Sequence, residues 1–134
     1  MSAFKQVFIV DDDLDDIEIL TEAIYTIDSS VSCHKAMNGV EGLAMLKEGD
    51  IPRPDLIFLD LNMPRVNGRQ FLERIKRDAT LSGIPVVMYS TSGITSDITD
   101  LMSLGARHYF VKPDSFSVLT QQLRKLFDSS ATPA

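Results

Sequence analysis

Short apolar runs punctuate the chain at 5–10, 31–36, 55–59, 84–89 and 107–111, each bounded by charged or turn-forming residues. They are too short for helices and favour β-forming side chains, so they predict strands. Between them the spacing changes. Leu14, Ile17, Leu20, Ile24 and Ile27 recur at helical intervals, as do Phe116, Leu119, Leu123 and Leu126, and segments 38–48, 67–78 and 94–104 follow the same period more weakly. Gly49, Gly83 and Gly105 follow periodic stretches, and Pro52, Pro54 and Pro85 precede strands, which is the punctuation of helix ends. Strands alternating with helices in this way predict a doubly wound α/β fold. Its sheet is parallel, because right-handed crossovers place helices on both faces.

In such sheets functional groups gather at the carboxyl ends of the strands, beside the point where strand order reverses. The residues that follow the apolar runs are polar and reactive. VFIV leads to Asp11, Asp12 and Asp13; LIFL leads to Asp60; VVMY leads to Ser90 and Thr91; YFV leads to Lys112.

Composition narrows the class. A chain of 134 residues with 44% hydrophobic and 24% charged positions suits one core. The folded domain is expected over 1–128, with a disordered tail at 129–134. Apolar runs such as Val7–Val10 and Leu56–Leu59 fall far short of the ~20 residues needed to cross a bilayer. MSAFKQ is no secretory signal, so a cytoplasmic protein is expected. Cys33 has no second thiol to pair with and reads as a small core residue. His34 and His108 lack partners at metal-ligand spacing, and the methionines read as core filler. The net charge of −6 argues against nucleic acid as a partner. DDDLDDIE, residues 11–18, carries six carboxylates and no base. Acids before a helix are usually caps, and that explanation suffices for Asp13, Asp15 and Asp16.

Carboxylates drawn to one sheet edge need an offset. Each pair about 4 Å apart repels by roughly 4 kcal/mol at an effective dielectric near 20. Either protons supply that offset, by raised pKa values, or a hard divalent cation on oxygen ligands does; the cation is the preferred reading, magnesium first and manganese as the alternative. A metal with open positions beside a carboxylate nucleophile suits phosphoryl transfer; Lys112 would add positive charge and Ser90 a hydroxyl.

VFIVDDD, LIFLDLNMPRVNG, IPVVMYST and GARHYFVKP, in that order over nearly the whole chain, together resemble the receiver domain of bacterial two-component response regulators. The resemblance implies a flavodoxin-like sheet of order 2-1-3-4-5 with five helices. It implies that Asp60 accepts a phosphoryl group from a sensor histidine kinase or a histidine phosphotransfer protein. Asp12, Asp60 and the main-chain carbonyl of Asn62 would bind magnesium, with Asp11 acting through water. Lys112 would contact the phosphoryl group, and its bond to Pro113 is expected to be cis. Ser90 and Tyr109 would act as the switch pair, moving a face made of the fourth helix, fifth strand and fifth helix, where a downstream protein binds. The chain is expected to be a stand-alone monomer or weak homodimer that catalyses only its own phosphorylation and dephosphorylation. Asp114 departs from the family, which commonly has an aromatic or apolar residue there.

Three other readings use the same residues. Asp11, Asp13, Asp15 and Glu22 fit the spacing of a calcium loop, but Asp16 stands where its sharp turn requires Gly. FMN binding needs a loop rich in donors to phosphate, whereas this loop is acidic. A magnesium phosphatase of haloacid-dehalogenase type, with Asp11 as nucleophile and Asp13 completing D-x-D, is the enzyme alternative.

Overall fold

The computed structural model describes residues 4–131, with side chains through residue 128. Five strands alternate with five helices: β1 (Gln6–Val10), α1 (Leu14–Ile27), β2 (Ser32–Ala36), α2 (Gly39–Glu48), β3 (Leu56–Leu59), α3 (Gly68–Arg77), β4 (Val86–Ser90), α4 (Thr95–Ser103), β5 (His108–Val111) and α5 (Phe116–Ala131). The strands form one parallel sheet in the order β2-β1-β3-β4-β5, as expected.

The central strands β1, β3 and β4 lack polar alternation because both of their faces are covered, whereas the edge strands β2 and β5 keep exposed positions. Val7, Ile9, Phe58, Val87 and Tyr89 pack with Ile17, Leu20, Leu119 and Leu123 from α1 and α5. Phe8, Val10, Ile57, Leu59 and Met88 pack on the other face with Leu43, Phe71, Leu72, Ile75 and Leu101 from α2, α3 and α4. Each fully buried large aliphatic side chain contributes about 1.5–3 kcal/mol over an exposed one. No helix among the described residues is long and apolar enough to cross a membrane.

Local chemistry explains the helix boundaries. Asp13 caps α1, its carboxylate accepting from the amides of Asp15 and Asp16. Asn67 and Gln70 form a reciprocal capping box on α3. Gly49 closes α2 at φ 68°, in the left-handed region that glycine enters without strain.

Several expectations need correction. Leu14 and Phe116 lie on the helical period but are 40% and 42% exposed. Both are the first residues of their helices. Helix α5 continues through Ala131, so residues 129–131 are helical where a disordered tail was expected; 132–134 lie outside the described residues. Met102 is exposed, unlike Met63 and Met88. Ser90 is the last residue of β4, paired with Val111, and does not follow the strand. No cis peptide bond occurs among the described residues, so Lys112–Pro113 is trans. The long lysine side chain reaches the acidic edge from a trans backbone. Where the family's apolar residue is replaced by Asp114, the chain stays exposed. Ser115 then heads α5, its hydroxyl accepting from the Val118 amide at 3.4 Å.

Candidate functional site

Parallel pairing brings the ends of β1, β3, β4 and β5 to one edge, and the hydrogen-bond ladder runs one residue past the strands. The Asp11 amide donates to the Ala36 carbonyl at 3.1 Å, Asp60 to Val10 at 3.0 Å and Lys112 to Ser90 at 2.8 Å. These functional residues are therefore held by the sheet itself. Strand order reverses at β1, which pairs with both β2 and β3.

Asp11, Asp12 and Asp60 each place a carboxylate oxygen within 4.8 Å of the others. Asp11 and Asp60 are buried, and Asp12 is exposed. Asn62 lies two residues beyond Asp60 on an exposed stretch of the same loop. The Lys112 ammonium stands 2.8 Å from Asp11 Oδ2, 2.7 Å from Asp16 Oδ2 and 3.9 Å from Asp60 Oδ1. It also lies 5.4 Å from the centre of the Tyr89 ring, a favourable approach of a cation to a π face.

Burial pushes the Asp60 carboxyl up to about 7, reinforced by the charge of Asp11, while Lys112 and a hydrogen bond with Ser90 oppose the shift. Asp11 is raised as well, by burial above all, against the pull of Lys112 and the Asp13 amide. Burial disfavours the charge on Lys112, yet its hydrogen bonds to Asp11 and Asp16 outweigh that and hold the amine firmly protonated. One ammonium thus faces more carboxylate charge than it can neutralise. The donor set is all oxygen, with neither His nor Cys, and fits a hard divalent cation.

Ser90 is fully buried beside Asp60. The Tyr109 hydroxyl donates to the Ser92 carbonyl at 2.7 Å, and Ser92 Oγ donates to Asp97 Oδ2 at 2.9 Å. Tyr109 is therefore joined to the β4–α4 loop and not to the carboxylates.

Two residues with structural consequences were missed in the sequence. Asp16 was assigned to helix capping, yet it shares Lys112 with Asp11. It is the third residue of α1, and because helical side chains tilt toward the N-terminus it leans back over the strand ends; that geometry was the available signal. Gly68, the last residue of LNMPRVNG, is the second. A Cβ there would lie 2.3 Å from the Asp60 carbonyl oxygen, so the start of α3 packs on the backbone of Asp60. Cys33 is half-buried against the α1 and α5 core. His34 pairs through Nε2 with Gln6 Oε1 at 2.9 Å.

Acids following β1 and β3 and a lysine following β5 thus share one edge of a doubly wound sheet. A family model described as the response regulator receiver domain matches residues 7–124. The chain is 33% identical over 94 residues to chemotaxis protein CheY-3 of Vibrio cholerae, covering 70% of each chain. Among solved structures it is similar to the phosphorylated cyanobacterial phytochrome response regulator RcpA, at TM-score 0.87 and 34% identity, covering 98% of this chain and 97% of that one. It is also similar to the Mn(2+)-bound form of response regulator Rcp1, at TM-score 0.81 and 27% identity, covering 97% and 99%.

The chain belongs to the response regulator receiver family. The haloacid-dehalogenase alternative finds no support in these likenesses. Its second aspartate, Asp13, is instead spent on capping α1.

Proposed function

We propose that Asp60 is the phosphoacceptor of a cytoplasmic signalling switch, charged from the phosphohistidine of a sensor kinase or histidine phosphotransfer protein. The observation that carries the reading is the meeting of Asp11, Asp12, Asp60 and Lys112, from three strand ends, around one surplus of negative charge. Asp11, Asp12, Asp60 and the main-chain carbonyl of Asn62 are the groups that would hold magnesium or manganese. When bound, the cation supplies the positive charge that screens an incoming phosphoryl group and neutralises its oxygens.

The chain's own residues do the rest. A carboxylate oxygen of Asp60 attacks phosphorus, forming the P–O bond as the P–N bond of phosphohistidine breaks and its electron pair leaves with the imidazole. Lys112, whose ammonium stands 3.9 Å from Asp60 Oδ1, is the fixed cation that would meet a phosphoryl oxygen on Asp60. Ser90 offers its hydroxyl to the same group, and Tyr109 follows by exchanging its bond to the Ser92 carbonyl. The readout face is α4–β5–α5, the elements on and beside which Ile94, Met102, Val111 and Val118 stand 41–61% exposed.

Incubation with magnesium and acetyl phosphate tests the reading. The expected product is one acid-stable, hydroxylamine-labile phosphate per chain, absent in Asp60→Asn. Steady turnover of phosphate esters dependent on Asp11 would overturn it.

A further inference from the structure

Lys112 divides its hydrogen bonds unevenly. Its ammonium donates to Asp11 at 2.8 Å and to Asp16 at 2.7 Å, while Asp60 stays at 3.9 Å, beyond hydrogen-bond reach. The two inner carboxylates are 2% and 8% exposed, whereas Asp16 is 30% exposed. Asp16 also sits on the first turn of α1, which the Asp13 cap fixes in place.

We propose that Asp16 is a positioning residue: it tethers the ammonium of Lys112 to α1, shares it with Asp11, and so keeps it from closing on Asp60. This rests on the phosphoacceptor reading above. An ammonium and a divalent cation compete for the same oxygens. Without Asp16 the lysine has only the inner carboxylates for partners, and it settles between them in a dry, strongly attractive setting. With Asp16 it keeps an outer partner, so Asp11 can turn to the cation without leaving the ammonium unpaired. Asp15, one residue earlier and exposed, carries the same formal charge but is not among the ion-pair partners of Lys112. It therefore separates a tether from a mere surface charge.

The test is magnesium titration of the full chain by amide NMR shifts at constant ionic strength, in wild type, Asp16→Asn, Asp16→Glu and Asp15→Asn. Asp16→Asn is expected to weaken binding by about fivefold or more, the lower end of typical site-to-site couplings. Asp15→Asn should change it by less than about twofold, as befits a screened surface charge, and Asp16→Glu should restore most of the loss. With acetyl phosphate as donor, the half-saturating magnesium concentration of Asp16→Asn should rise while the rate at saturating magnesium holds, a split that a general loss of structure would not produce. Normal wild-type binding with equal effects of Asp16→Asn and Asp15→Asn overturns the tether alone, as does failure of Asp16→Glu to rescue. A wild-type chain whose spectrum ignores magnesium overturns the phosphoacceptor reading and the tether with it.

Discussion

Helices α1 and α4 both follow strands that end at the site, but they are held in different ways. Helix α1 has a carboxylate cap, buries Ile17, Leu20, Ala23 and Ile24, and is tied to β5 through Asp16 and Lys112. Helix α4 has Ile94 at its N-cap position, with no side-chain cap, and buries only Leu101. Its loop hangs on exchangeable hydrogen bonds, Tyr109 to Ser92 and Ser92 to Asp97. The β1–α1–β3 half is built to hold charge in a fixed place. The β4–α4–β5 half is built so that a change of charge can move it, because few buried contacts resist its displacement.

The largest test of that contrast removes the ammonium that ties β5 to the rigid side. Lys112→Ala leaves Asp11 buried beside other acids without its partner, and should destabilise the metal-free protein by about 3–5 kcal/mol in chemical denaturation. Magnesium should restore much of that loss; no recovery would mean the ammonium and the metal do not share the same carboxylates.

A smaller effect comes from pH. The folded Asp60 carboxyl titrates at about 7, above its ordinary 3.8, so the native state holds a proton that the unfolded chain has released. Its contribution is full below pH 3.8 and is lost as pH rises through about 7. Melting of the metal-free protein should therefore fall across that range in wild type and much less in Asp60→Asn. Magnesium affinity should rise over the same range, because the cation needs the ionised carboxylate.

The caps give the smallest effects. Asp13→Ala should cost about 1 kcal/mol through the lost cap, without abolishing magnesium binding. Ile94→Ser gives α4 the cap it lacks and should stabilise it by about 0.5 kcal/mol, seen as slower amide exchange in its first turn. Equal exchange in α1 and α4 of the wild type would erase the contrast between the two halves.

Much of this was legible from periodicity. Fully apolar runs of strand length, separated by helical spacing, commit the chain to a covered parallel sheet, and parallel strands send Asp11, Asp60 and Lys112 to one edge whatever lies between them. What escaped was side-chain partnership. Asp16 and Lys112 are 96 positions apart, and an acid in the first turn of a helix already has a sufficient local explanation in capping. The exposure of Leu14 and Phe116 escaped because a helical period says which face a residue occupies but not whether the sheet extends beneath it. Gly68 looked like any turn glycine until the backbone of Asp60 was placed against it.

The central claim is that the acidic edge holds a divalent cation and so makes Asp60 ready for a phosphoryl group. Titrating magnesium into the isotopically labelled protein measures this most directly. Saturable shifts centred on the amides of Asp11, Asp12, Asp60 and Asn62, fading with distance from the strand ends, are the predicted result. A spectrum unchanged at millimolar magnesium, or shifts spread evenly over the acidic surface, would contradict it.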